Sequence, residues 1–133
     1  MSQENVERAY RAYDAMRRRD IEAFLTFIDT DVECVPLLME PEGASYRGHD
    51  GIRQWLEDVF SVFPGFTAEI EHVRDLGDLL IVSARVRGQS VDSNVPFEQT
   101  VWQIVELRGG KVYRWRNYWS EAEALDAVGL REQ

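Results

Sequence analysis

The stretch FEQTVWQIVELRGGKVYRWRNYWS, residues 97–120, restricts the fold more than any other part of the chain. Runs of alternating apolar and polar residues flank Arg108-Gly109-Gly110, the pattern of two antiparallel strands joined by a tight turn. Side chains alternate with a period of two, so the turn decides which residues share a face. A two-residue Gly-Gly turn sets Gln103 opposite Arg116 and mixes arginines into the apolar face. A three-residue turn with Gly110 in a left-handed bulge position moves the pairing by one. One face then carries Gln99, Val101, Gln103, Val105, Tyr113, Trp115, Asn117 and Trp119. The other carries Glu98, Thr100, Trp102, Ile104, Glu106, Val112, Arg114, Arg116 and Tyr118. On that face glutamates meet arginines and Trp102 meets Arg116, so cross-strand pairing favours the second register.

The first of these faces is apolar and aromatic, yet it holds three amides: Gln99, Gln103 and Asn117. A dry core must satisfy every amide group or lose about 1–3 kcal/mol for each one left unpaired. Two arrangements meet that demand. Either the amides bond neighbouring side chains and backbone, or the face walls a cavity in which a few polar groups orient an apolar ligand.

Earlier in the chain, Val6, Ala9, Tyr10, Tyr13 and Met16 recur at helical spacing, predicting a helix over about residues 3–19 capped by Ser2. Tyr10 and Tyr13 are equally placed for core packing or for a pocket wall. Asp20 caps a short second helix containing Ala23, Phe24, Phe27 and Ile28. A short strand over 32–35 puts Val32 and Cys34 on one face and Glu33 on the other. Cys34 reads as a small buried hydrophobe, because no neighbouring cation or histidine lowers its pKa toward a nucleophile's. Residues 36–48, rich in proline and glycine, read as a loop able to cover a cavity mouth, with Glu40 and Glu42 in solvent. Asp50 caps a third helix, about 51–63, with the apolar stripe Ile52, Trp55, Leu56, Val59, Phe60 and Phe63. Trp55 belongs to the core and is also a candidate pocket wall.

Two strands follow, about 66–75 and 79–88, joined at Leu76-Gly77-Asp78. Alternation in the first puts Ala68, Ile70 and His72 together. His72 titrates near neutral pH and is a candidate acid or base, but Glu69 and Glu71 point to the opposite face and supply no partner. Arg85 and Arg87 lie on a charged, pairing face. After the 97–120 hairpin, Ser120 and Glu123 form a capping box for a last helix that Gly129 and Leu130 end.

The 133 residues make one domain, 1–133, with an ordinary 44% hydrophobic and 29% charged content. A net charge of −9 argues against nucleic acid and against anionic membranes. The lone cysteine excludes an internal disulfide, and the polar N-terminus carries no signal or anchor pattern, so a cytoplasmic location is expected. No phosphate loop, dinucleotide fingerprint or zinc-spaced Cys/His set is present, so neither cofactor nor metal is implied.

The predicted order, ααβαββββα, is α+β: a curved antiparallel sheet wrapped around helices. Several segments in that order resemble the SnoaL-like branch of the nuclear transport factor 2-like superfamily. They are Asp20-Ile21-Glu22-Ala23-Phe24 before Asp31-Val32-Glu33, and Tyr46-Arg47-Gly48-His49-Asp50-Gly51-Ile52. Phe63-Pro64-Gly65-Phe66, Leu76-Gly77-Asp78, Gly110-Lys111-Val112 and the ending Glu123-Ala124-Leu125-Asp126-Ala127-Val128-Gly129-Leu130 continue the likeness over nearly the whole chain. The resemblance implies a cone-shaped α+β barrel with a deep apolar pocket. It also implies a homodimer through the outer sheet face, here Trp102, Ile104, Arg114, Arg116 and Tyr118. Position by position, the polyketide cyclases' base aspartate falls on Asn117, and the ketosteroid isomerases' base falls near Cys34. Their acid, or the cyclases' histidine, falls near Gln103. An amide does not titrate at neutral pH, so the pocket is expected to lack its usual base.

With that resemblance, the cavity is the favoured arrangement. The ligand-binding set is Gln103, Asn117, Gln99, Val101, Trp115, Trp119, Tyr113, Trp55, Tyr13 and Cys34, taking a small apolar molecule. The alternative is a cyclase, isomerase or epoxide hydrolase that works by acid/base catalysis without a cofactor, using His72 with Tyr13 or Cys34. A third possibility is an interaction module whose dimer face is the function.

Overall fold

The computed structural model describes residues 2–35 and 45–130. In chain order the elements are α1 (Ser2–Arg17), α2 (Ile21–Leu25), β1 (Ile28–Val35), β2 (Tyr46–Arg47), α3 (Gly48–Val62), β3 (Thr67–Asp75) and β4 (Leu79–Gln89). The hairpin β5 (Pro96–Arg108) and β6 (Lys111–Tyr118) follows, and then α4 (Glu121–Ala127). The α+β class is as expected, with one more strand than the sequence predicts. That strand, β2, pairs antiparallel with β1. The six strands form one curved, unclosed sheet in the order β2-β1-β6-β5-β4-β3. Among the described residues only the β1–β6 pair is parallel. Among the described residues no helix is long and apolar enough to cross a membrane.

The predicted register of the 97–120 hairpin holds from the Glu106–Arg114 pair outward, but it has a different origin. Arg108 pairs with Lys111, and Gly109 (φ 59°) and Gly110 (φ 79°) are both left-handed, so the turn is the two-residue type with positive φ at both positions. Its twist matches that of the strands. Glycine suits Gly110 because of its positive φ. The one-residue shift comes afterwards: Leu107 pairs with Val112 and Glu106 with Arg114, leaving Tyr113 as a bulge. Beyond it Gln103 faces Asn117 and Ile104 faces Arg116, as expected. Within it two assignments reverse. Val112 turns inward with Leu107 onto the core. Tyr113 turns outward, where its hydroxyl bonds Glu106 at 3.4 Å and its ring lies under Arg108.

A second bulge reverses a prediction in β3. Ile70 pairs with Ala84 but His72 with Ser83, so Glu71 is the extra residue. Ala68 and Ile70 face the core, while Glu71 and His72 are both exposed and Val73 packs inward. Strict alternation had placed His72 with Ala68 and Ile70.

The caps follow local chemistry, with one exception. The Asp20 side chain accepts from Ala23 N at 3.1 Å. Ser120 Oγ accepts from Glu123 N and donates to Glu123 Oε1, and Leu130 N reaches Leu125 O at 2.8 Å to end α4. Asp50 is the exception. α3 begins earlier, at left-handed Gly48 after an uncapped Arg47, and Asp50 instead accepts from Arg53 within the first turn. β1 also starts earlier than expected, at Ile28, which pairs with Val112 of β6; Arg108 bonds Asp29 twice and Asp31 once alongside.

Two clusters divide the apolar residues. On the inner face α1, α2 and α3 pack against the sheet, with Ala15, Phe24, Ile52, Leu56 and Val59 meeting Val32, Cys34, Val82 and Trp115. Burial of each large side chain contributes roughly 1.5–3 kcal/mol. On the outer face, Ala124 and Leu125 of α4 cover Ile81 and Ile104, with Trp102 and Tyr118 packed alongside. Ile104, expected on the dimer surface, is fully enclosed by this chain's own last helix. Arg114 and Arg116 on that face pair with Glu33 and Glu106.

Candidate functional site

Between the inner face and the helices lie two small cavities. The space open to the centre of a water molecule is ≈ 60 Å³ in the first and ≈ 50 Å³ in the second. Tyr13, Gln103 and Trp115 line both, and so form their common wall. Each comes from a different element: Tyr13 from the inward stripe of α1, Gln103 from β5, and Trp115 from β6 beyond the bulge. The first cavity is walled by Ala12, Phe24, Phe27, Leu80, Val82 and Val112, with Arg8 and Asn5 at one end. Those two bond Gly110 O at 3.4 Å and Gly77 O at 3.0 Å. The second is walled by Met16, Trp55, Phe66, Ala68, Val86, Val101 and Asn117, with half-exposed Trp119 at its edge. Among the described residues neither lining includes an aspartate, glutamate or histidine, and Arg8 is the one charged group.

The amides of the common wall are bonded to one another. The Tyr13 hydroxyl donates to Gln103 Oε1. Gln103 Nε2 donates to Asn117 Oδ1 at 2.9 Å, and Asn117 Nδ2 donates to Val35 O at 3.1 Å. One line of hydrogen bonds thus runs from α1 across β5 and β6 to β1. Burial pushes the Tyr13 phenol well above its ordinary pKa, against the smaller opposing effect of the bond to Gln103. It therefore stays protonated at neutral pH and acts as a donor. Two buried donors of these walls are left over. Trp55 Nε1 and Trp115 Nε1 have no hydrogen-bond partner among the described residues. Each such group costs about 1–3 kcal/mol if nothing accepts from it.

Of the residues predicted for the site, Gln103, Asn117, Val101, Trp115, Trp119, Trp55 and Tyr13 come together around these cavities. Tyr10, equivalent to Tyr13 by spacing, is exposed. Gln99 is exposed near the start of β5, and Tyr113 is on the outer face. Cys34 is fully buried between Tyr46 and Trp115 in the sheet, lines neither cavity, and has its thiol pKa pushed up by burial. His72 lies in an outer groove beside Trp102 and Ser83, on the opposite side of the sheet from Tyr13. His49 bonds Ile28 O at 2.8 Å. Glu40, Glu42 and most of the predicted covering loop lie outside the described residues. Met16, Phe66, Ala68 and Val86 were not foreseen as wall residues. For Met16 the signal was its three-residue spacing from Tyr13 on α1. No group of three or more His, Cys, Asp or Glu among the described residues is placed to hold a metal ion.

Residues 8–115 match the SnoaL-like domain. The chain belongs to that family. Among curated relatives it is 25% identical over 93 residues to the uncharacterised protein YesE of Bacillus subtilis (strain 168). That match covers 67% of this chain and 63% of YesE, so the chain spans less than two thirds of that relative. Among solved structures it is similar to TerC, co-crystallised with polyporic acid, at 25% identity and a TM-score of 0.77. The match covers 94% of this chain and 98% of TerC. It is also similar in fold to IdmH, a candidate polyketide cyclase from Streptomyces antibioticus, at 20% identity and a TM-score of 0.73 over 95% and 99% of the two chains. Ketosteroid isomerase-like and nuclear transport factor 2-like folds are among the other similar structures.

Proposed function

We propose that this SnoaL-like protein binds a small hydrophobic molecule in the paired cavities without transferring a proton to or from it. The observation that carries the reading is the closed line Tyr13–Gln103–Asn117–Val35 running through otherwise apolar walls. Apolar walls with few polar groups are what a small-ligand site requires. General acid/base work requires a group that titrates near the working pH. Neither amide does so, and burial holds the Tyr13 phenol above that range. The best candidates for an acid/base pair are split across the sheet, with His72 outside and Tyr13 inside. The likeness to TerC adds weight to a ligand role and supplies the first compound to try.

The test is calorimetry with polyporic acid, followed by chromatography of the recovered ligand. Saturable binding with the compound returned unchanged is the expected result. Conversion of the compound, at a rate that follows a single ionisation near neutral pH, would overturn the reading.

A further inference from the structure

We propose that the first cavity exchanges its occupant through a portal of its own, between the turns at Gly77 and Gly110, and that the Arg8 side chain is the part that moves. The inference adds a route to the proposed ligand site and rests on that reading. Asn5, Arg8, Leu107 and Gly110 line both the inner cavity and a polar depression on the surface bordered by Glu4 and Asp78. These four residues therefore stand between the two spaces. Leu107 and Gly110 are fixed by the hairpin, where Leu107 pairs with Val112 and its N–H also reaches Asp78 O at 2.8 Å. Asn5 and Arg8 are side chains of α1, each held to a turn by one bond to a carbonyl. Asn5 Nδ2 donates to Gly77 O at 3.0 Å, and Arg8 Nη1 donates to Gly110 O at the longer distance of 3.4 Å. Arg8 also pairs with Glu4 at 3.7 Å, one turn back on the same helix. Its guanidinium lies over Gly110, where any Cβ would collide with it.

What each route would break decides between them. To leave through the second cavity, an occupant must pass the wall of Tyr13, Gln103 and Trp115. That wall holds hydrogen bonds from Tyr13 to Gln103 and from Gln103 to Asn117, and water cannot replace them while the core stays closed. Gln103 and Trp115 are both more than nine-tenths buried. At the Arg8 end the groups that part border the surface depression, so water replaces each bond as it breaks. The Arg8–Glu4 pair is long and partly exposed, and such pairs hold weakly. A swing of one arginine about its side-chain torsions clears that end of the cavity without moving α1 or the sheet. Asn5 keeps the helix fastened to Gly77 meanwhile.

The test follows dissolved xenon, a small apolar probe, through the carbon-13 methyl peaks of Ala9, Ala12, Val82 and Val105 on the wall of the first cavity. Exchange rates come from relaxation dispersion of those peaks under xenon pressure. Arg8→Ala should raise the rate of xenon entry about three- to tenfold, the weight of one ordinary hydrogen bond. Arg8→Met, which keeps the stem and loses the bond, should fall between the alanine variant and the parent. Trp119→Ala, at the edge of the second cavity, should accelerate entry less than Arg8→Ala does. An unchanged rate in both Arg8 variants, or a larger effect from Trp119→Ala, would overturn the portal. Xenon that never perturbs those methyl peaks would overturn it as well. In either case calorimetry with polyporic acid decides the ligand reading separately.

Discussion

Val105 and Ile104 are neighbours on β5, one facing in and one out, and both are more than nine-tenths buried. Their surroundings differ. Ile104 sits under α4 in a compact cluster with Ile81, Ala124 and Leu125, ringed by ion pairs among Glu33, Glu106, Arg114 and Arg116. Val105 borders a cavity whose polar side chains bond one another or backbone carbonyls, with the Trp115 N–H unpartnered among the described residues. The outer face thus closes with charges at its margin, while the inner face keeps empty volume between described walls that are neutral apart from Arg8 at one end. Neutral groups can sit beside an apolar ligand at small desolvation cost, and paired charges cannot.

Several measurements would break or sharpen that contrast. The largest effect belongs to Cys34, whose burial pushes its thiol pKa up. Labelling by a disulfide reagent at pH 8 should be slower than in the unfolded chain by a factor of about 10³ or more, because only opening of the fold exposes it. Fast labelling would show that the inner face breathes. Next, Ile104→Ala should cost about 2–5 kcal/mol in urea unfolding, since nothing nearby can collapse into the space. A loss below about 1 kcal/mol would mean that α4 is loosely held. Gln103→Leu should cost about 1–3 kcal/mol by stranding the Tyr13 hydroxyl and Asn117 Oδ1. Adding Tyr13→Phe should then recover part of the loss, and failure to do so would argue against the hydrogen-bond line. Arg85→Ala, which removes outer pairs to Glu71 and Glu98, should change stability by only about 0–1 kcal/mol and less at high salt.

The smallest effect concerns acid pH. Hydrogen bonds from Arg108, then from Asp31 N, hold the Asp29 carboxyl below its usual 3.8. A group depressed in the folded state stabilises above its unfolded pKa, and that contribution disappears as pH falls through the folded value. Asp29→Asn should therefore be less stable than the parent at neutral pH, and the gap should narrow in titrations below about pH 4. A gap that is constant with pH would dismiss the charge as its source.

The sequence made the elements legible because apolar period, capping residues and glycines each report on local structure. Asp20, the Ser120 cap and the stripe from Ile52 to Val59 all acted as read. The single-residue bulges were not legible. At Tyr113 and Glu71 the chain gains one residue relative to its partner strand, and every side chain beyond changes face. For Tyr113 the cross-strand charges had already indicated the register past the bulge, so only the residues within it were misplaced. For His72 no such cross-check existed, because Ser83 opposite is neutral. The site shows the same limit. Alternation placed Gln103, Asn117 and Trp115 on the right face, but whether their polar atoms meet a ligand or one another depends on partners such as Tyr13 and Val35, distant in the chain.

The parallel pairing of β1 with β6 has a consequence for how the molecule is made. Val35 and Asn117 are 82 positions apart, yet the carbonyl of one bonds the side chain of the other. During translation, β1 emerges with only the two-residue β2 close behind it, and its main partner, β6, follows after α3, β3, β4 and β5. Closing so long a loop is slow compared with forming a local hairpin. The β3–β4 and β4–β5 ladders can assemble as soon as they leave the ribosome, whereas β1 must wait for β6, a long-range closure of the kind that slows folding.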